Sequence, residues 1–249
     1  MTLASHYSKI ITLAPVLAEW TTEILGETNV KTTLIAVSEY SLYPHSLTEK
    51  PTIGAYFKLN VEKIAALKPD LIIASSVYNR PDQLEQLKRL NLPVQVMPAE
   101  KFSEMPTWIK TLGQILHEDG GTARASTRWS DEVKALEAKK KKIPESMFLE
   151  VQHSPLVTIG GESFLNEAFA LVGFDNIFKA LPQDYPKVSK ESVLAKNPAN
   201  IFILDLSGNP KDFEPAVADW GKFGKHPRIL SGDDFARCSF ALLKGLGRL

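Results

Sequence analysis

A single cysteine, Cys238, stands among the 249 residues, which excludes a disulfide within the chain and any metal site built from several thiolates. Cys238 therefore reads as a small, partly buried residue, compatible with the cytosol or with a periplasm. Neither sign of charge is in excess, since 29 Lys and Arg face 29 Asp and Glu. With no basic stripe to release counterions, nucleic acid is not an expected partner. No apolar run approaches the roughly twenty residues that a spanning helix needs. The start, Met1 to Tyr7, has no basic segment followed by an apolar core, so no secretion signal is visible, and an exported protein would have had its signal cut from this chain. Catalytic motifs are missing too. There is no Gly-x-Ser-x-Gly elbow, no phosphate-cradling loop closing on Lys-Ser/Thr and no His-Glu-x-x-His helix. Gly160-Gly161 after Val157 to Ile159 is too short for a dinucleotide fingerprint. These absences argue against an enzyme and name no catalytic residue.

What the chain does contain is 44% apolar residues, enough for ordinary cores, and a segment that occurs twice. Residues 56–72 align without a gap on residues 185–201, an offset of 129 that maps Tyr56 on Tyr185, Lys58 on Lys187, Glu62 on Glu191, Ala66 on Ala195, Pro69 on Pro198 and Ile72 on Ile201. Two similar halves follow. Short strands and helices alternate in each: strands at Ile10 to Leu13, Thr33 to Val37, Leu71 to Ala74 and Val94 to Met97; helices at Leu17 to Leu25, after Asn60, at Pro81 to Leu90 and at Thr107 to His117. Gly120-Gly121 punctuates the chain. Thr122 to Lys142 then reads as one amphipathic helix of roughly 30 Å, with Ala125, Trp129, Val133 and Leu136 on its apolar face and Lys139 to Lys142 offsetting the dipole in its last turn. The alternation restarts with strands at Met147 to Val151 and Ile201 to Leu204 and helices at Glu162 to Val172, after Ser189, at Asp212 to Trp220 and from Ser239. The predicted fold class is α/β: two Rossmann-like lobes with parallel sheets, at 8–118 and 144–249, joined by one long backbone helix at 119–143. A single helical connection is stiff and should restrain wide opening of the lobes.

In each copy of the repeat, Asn60 or Ser189 is a good N-cap, and the glutamate two residues on sits in the first helical turn, where negative charge is favoured. Local helix stabilisation alone would explain either Glu62 or Glu191. Ile64/Val193 and Ala66/Ala195 are expected to face the sheet, and Pro69/Pro198 to end the helix. Tyr56 and Tyr185 lie in loops ahead of their helices, on the side of an α/β lobe where ligands bind, with packing as the alternative. Tyr40 follows strand Thr33 to Val37, and packing and ligand contact are both open to it. Asp233, Asp234, Phe235, Ala236 and Arg237 precede the last helix and would form, taken alone, a turn with Asp caps and a local ion pair. His153 follows the strand at Met147 to Val151 and could reach a metal, though a lone histidine is more often a loop residue.

These residues together resemble a known family. Ile10 to Pro15 with Glu19, Val37 to Pro44, Asn60 to Ile72, Asn176 to Phe178, Tyr185 to Glu191 and Asp233 to Arg237 are similar to the substrate-binding proteins of ABC importers that carry a helical backbone, whose members take cobalamin, haem, ferric siderophores or metal ions. The likeness runs from about Lys9 to the C-terminus. Ser38-x-Tyr40-Ser41-x-Tyr43-Pro44 and Asp233-x-Phe235-x-Arg237 point to the cobalamin branch. The resemblance implies a periplasmic, monomeric receptor with its ligand in the cleft between lobes. Tyr40, Tyr56, Tyr185 and the segment Asp233, Asp234, Phe235, Ala236, Arg237 would contact cobalamin as transported ligand, and Glu62 and Glu191 would pair with arginines of the permease dimer at the inner membrane. Aromatic faces and a few polar groups suit a bulky, largely flat corrinoid. One carboxylate per lobe suits a two-fold symmetric transporter. The chain departs from the family at two N-lobe tryptophan positions, where it has Tyr56 and Ser75, and in the final loop, where Asp234 and Ala236 replace a larger ring and an acid. The family's disulfide cannot form. A different cobamide, haem or a ferric siderophore is therefore the alternative cargo.

Overall fold

The computed structural model describes residues 7–249; the start at 1–6, where no secretion signal is expected from the sequence, lies outside the described residues. Two compact units result, one gathering the chain up to Glu100 with Glu104–Ser130, the other Lys101–Ser103 with Asp131–Leu249. The chain runs first through β1 (Ile10–Thr12), α1 (Pro15–Leu25), α2 (Glu27–Thr33), β2 (Leu34–Val37), the two-residue strands β3 (Gly54–Ala55) and β4 (Lys58–Leu59), α3 (Val61–Leu67), β5 (Leu71–Ser75), α4 (Pro81–Arg89), β6 (Val94–Met97), α5 (Met105–Leu116) and α6 (Asp119–Glu137). It continues through β7 (Glu145–Gln152), β8 (Val157–Thr158), α7 (Phe164–Leu171), β9 (Phe174–Asn176), α8 (Lys190–Lys196), β10 (Asn200–Asp205), α9 (Pro210–Gly221), β11 (Arg228–Ser231), α10 (Gly232–Phe235) and α11 (Phe240–Leu246). The α/β class with parallel sheets is as the alternation predicts.

In the first unit the strands stand in the order β2-β1-β5-β6, all parallel. The order reverses direction between β1 and β5, which makes their carboxyl ends the switch point where open α/β sheets take ligands. Strand alternation sends Ile11, Leu13, Ile72 and Ala74 to one face, where they pack with Ile64 of α3 and Leu84 and Leu87 of α4. Trp20 of α1 meets Trp108 of α5 at 6.2 Å and Trp129 of α6 at 5.5 Å between ring centroids. In the second unit the order β11-β10-β7 is parallel, β9 pairs parallel with the start of β7, and β8 pairs antiparallel with its end. Its switch point lies between β7 and β10. Phe148, Ile201 and Ile203 form the core of this unit with Val193 of α8 and Trp220 of α9.

Several expectations need correction. Thr33 ends α2 instead of opening β2, because the preceding residues complete a helix directly against α1. Gly120-Gly121 does not punctuate the chain but lies in the first turn of α6. A Cβ on Gly121 would stand 1.7 Å from the carbonyl oxygen of Ile24, so glycine is there to let α6 meet the end of α1. At its other end α6 stops at Glu137, leaving Lys139 to Lys142 beyond the helix. Along it Ala125, Trp129 and Leu136 are buried and Val133 is half-buried. Ala66 and Ala195 are exposed, not sheet-facing. Asp233 to Phe235 belong to a helical turn, α10, capped by the Ser231 hydroxyl accepting from the N–H of Asp233 at 3.3 Å.

Candidate functional site

At the switch point of the first unit, one buried side chain organises the surrounding loops. Asn79 is 3% exposed. Its Nδ2 donates at 2.8 Å to the carbonyl of Leu13, just past β1, and at 2.8 Å to the carbonyl of Tyr56, while its Oδ1 accepts from the N–H of Ser75 at 2.8 Å. One amide thus ties the ends of β1 and β5 to the tip of the β3–β4 hairpin. Gly54 allows that hairpin to close: its φ is +92°, and an added Cβ would sit 2.6 Å from the carbonyl oxygen of Lys58. Sequence reasoning missed Asn79, which by composition is only a turn residue.

The hairpin tip presents Tyr56. Its ring is met edge-on by Tyr40 at 6.4 Å, by Phe57 at 5.1 Å and by Tyr78 at 6.0 Å. Such edge-to-face pairs hold rings in fixed orientations while leaving faces available. Tyr40 is 57% exposed and sits in the left-handed region at φ +67°. The Ser38 and Ser41 hydroxyls, 3.2 Å apart, and the Glu39 N–H donating to Gly54 at 2.9 Å brace its loop. Tyr40 and Tyr56, singled out from sequence, are therefore neighbours. Leu42, Tyr43, Phe57 and Val77 add exposed apolar surface on the flanking loops. A contiguous cluster of exposed rings and aliphatic side chains is a candidate binding surface.

The second unit places Tyr185 differently. It is 46% exposed, on a stretch whose Lys187 bridges Val157 of β8 and whose neighbours Asp184 and Pro186 accept from the N–H groups of Gly160 at 2.9 Å and Thr158 at 3.1 Å. Where Tyr56 rides on a local hairpin, Tyr185 is held by pairing with a distant strand. In α10, Phe235 is 2% exposed and stacked on Phe169 at 5.7 Å, so its ring belongs to the core. Asp234 pairs with Arg248, and Arg237 donates from Nη2 to the Asp233 carbonyl at 3.1 Å. Asp233 is exposed, and Ala236 and Arg237 are half-buried.

A cavity of about 200 Å³ opens at the β7–β10 switch point, lined by Glu150, His153, Leu204, Asp205 and Phe213 among others. The buried Glu150 carboxylate accepts from Trp220 Nε1 at 2.6 Å and lies 2.9 Å from His153 Nδ1, while His153 Nε2 faces Asp219 at 3.7 Å. His153 is thus a clamp between the β7 turn and α9, and among the described residues no cluster of three or more His, Cys, Asp or Glu could hold a metal. Glu62 and Glu191 are exposed in the first turns of α3 and α8. The Glu191 carboxyl is held below its ordinary range by its own backbone N–H and by the Ser189 hydroxyl.

Two lobes of parallel α/β structure, each with its polar and aromatic groups gathered at the switch point, define a small-molecule receptor. The family described as Periplasmic binding protein matches residues 13–219, and this chain belongs to it. Among its relatives is the Vitamin B12-binding protein of Vibrio vulnificus strain CMCP6, 30% identical over 80% of this chain and 72% of the relative. The crystal structure of the periplasmic Vitamin B12 binding protein BtuF of Vibrio cholerae superposes with a TM-score of 0.77 at 28% identity, covering 97% of this chain and 94% of that one. The periplasmic heme binding protein HutB of Vibrio cholerae gives 0.80 at 20% identity, covering 96% of each chain, a likeness of fold.

Proposed function

We propose that this protein is the substrate-binding protein of an ABC importer, which captures cobalamin or a related corrinoid and delivers it to the membrane permease without making or breaking a bond. The carrying observation is the ring cluster at the first switch point, where Tyr56, on a hairpin fixed by Asn79, stands edge to face with Tyr40, on a loop tied to Gly54 through the Glu39 N–H. Rings braced in this way offer faces to a flat, bulky macrocycle at small entropic cost. Relatives named for vitamin B12 cover most of the chain and support this cargo. Tyr185, Asp233, Ala236 and Arg237 are the contacts proposed from the second unit, with Asp234 and Phe235 holding α10 in place through Arg248 and Phe169.

Glu62 and Glu191 are the proposed docking carboxylates. Their supports are exposure and equivalence: each stands two residues after a capping side chain, in the same turn of matching helices. The receptor is proposed to act as a periplasmic monomer. A haem or ferric siderophore is the second reading, favoured by the exposed phenols of Tyr40 and Tyr185, which could ligate iron. Titration with cyanocobalamin and hemin separates the two. The corrinoid reading expects a change in cobalamin absorbance on binding, and a charge-transfer band with hemin alone would replace it.

A further inference from the structure

The sequence places Ser75 where a second ring of the first unit was expected. We infer that Tyr78 supplies that ring as a cargo contact, and that Ser75 and Glu100 are the residues that position it. This rests on the receptor reading above and adds a residue and its supports to it.

Three observations carry the assignment. First, Ser75 does not leave a gap. Its hydroxyl accepts from the N–H groups of Val77 at 3.2 Å and Tyr78 at 3.3 Å, so the short side chain winds the turn after β5 that carries the half-buried Tyr78. Second, the Tyr78 ring meets Tyr56 at 78° and 6.0 Å, which continues the edge-to-face series begun by Tyr40. Third, the phenol is anchored from beneath. Glu100, just beyond β6, is 7% exposed, and its carboxyl is hydrogen-bonded by Tyr78. Its Oε1 has no hydrogen-bond partner among the described residues.

A carboxyl buried with an unsatisfied oxygen costs stability. Its return is a tyrosine held at both ends, by backbone through Ser75 and by hydroxyl through Glu100. A ring fixed before binding loses little freedom on contact with a macrocycle. The asparagine clamp extends the same logic, because Asn79 follows Tyr78 directly and holds the Tyr56 hairpin. Ser75, Asn79 and Glu100 therefore form one support for two rings, Tyr56 and Tyr78.

The test is a titration of cyanocobalamin and of hemin into wild type, Tyr78→Ala, Tyr78→Leu, Tyr78→Phe, Glu100→Leu, Glu100→Gln and the double variant Tyr78→Ala/Glu100→Leu, each checked for folding by circular dichroism. Tyr78→Ala and Tyr78→Leu, the second filling the space without a ring, should each weaken the bound cargo by about tenfold or more. Tyr78→Phe should lose less than either. Glu100→Leu should weaken binding several-fold, Glu100→Gln should recover most of that loss by keeping an acceptor for the phenol, and Glu100→Leu should add nothing in the Tyr78→Ala background. Wild-type binding with unchanged affinity in both ringless variants would overturn this inference and leave the receptor reading standing. Additive losses from Glu100→Leu and Tyr78→Ala would overturn the positioning role. If wild type bound neither cargo, the receptor reading would fall and this inference with it.

Discussion

Single residues carry the clearest physical consequences. Glu100 is pushed up from its ordinary 4.5 to about 7, first by burial, against which its own backbone N–H and the Tyr78 hydroxyl pull down. The folded state therefore binds this proton more tightly than the unfolded chain. Its contribution to stability is complete below pH 4.5 and is lost as pH climbs through 7, a change of about 3 kcal/mol. Glu100→Gln should flatten the fall in stability over that window, as read by urea denaturation at pH 5 and pH 8. Asn79→Ala removes three hydrogen bonds from a buried site and should cost about 3 kcal/mol, with a further loss of cargo affinity as the Tyr56 hairpin loosens. Neither residue was legible in the sequence. The partners of Asn79 lie 66, 23 and 4 residues away, and local composition reports only the nearest. Phe235 misleads for a related reason: in sequence it sits among charges, and only the fold brings Phe169 to its face.

Helices α3 and α8 show what local sequence encodes well. Asn60 accepts from the N–H of Lys63 at 2.9 Å and Ser189 from that of Ser192 at 3.1 Å, as the capping signals imply. Ile64 and Val193 are fully buried, and Pro69 and Pro198 follow caps at Lys68 and Asn197 in the left-handed region, with φ of 49° and 44°. The two alanines were misplaced because two residues along a helix turn the chain by roughly 200°, away from the face that buries Ile64 and Val193. The left-handed cap gives a direct test. Lys68→Gly should stabilise the protein by about 0.5–1 kcal/mol, and Asn197→Gly by less, since asparagine tolerates that conformation, as measured by thermal or urea unfolding. The same helices carry the docking proposal. Glu62→Ala and Glu191→Ala should each reduce association with the permease in a pull-down from vesicles while leaving cargo affinity near the wild-type value. A loss of about tenfold in cargo affinity from either, equal to about 1.4 kcal/mol, would remove the carboxylates from the docking role.

At the scale of the whole molecule, alternating strands and helices and an internal repeat were enough to specify two α/β lobes, because parallel sheets demand a helical crossover between neighbours. The long helix was legible in its buried stripe of Ala125, Trp129 and Leu136, yet its start was misread, since glycine serves close helix contact as well as helix breaks. The proposed cargo contacts are encoded less locally than the fold, in rings and supports drawn from loops after β2, β3 and β5. The most direct measurement is a calorimetric titration of cyanocobalamin into the purified protein, with hemin in parallel. A cobalamin receptor should bind saturably at about micromolar affinity or tighter, with a shift in cobalamin absorbance. No heat with cyanocobalamin, together with tight hemin binding and a charge-transfer band, would contradict the corrinoid reading.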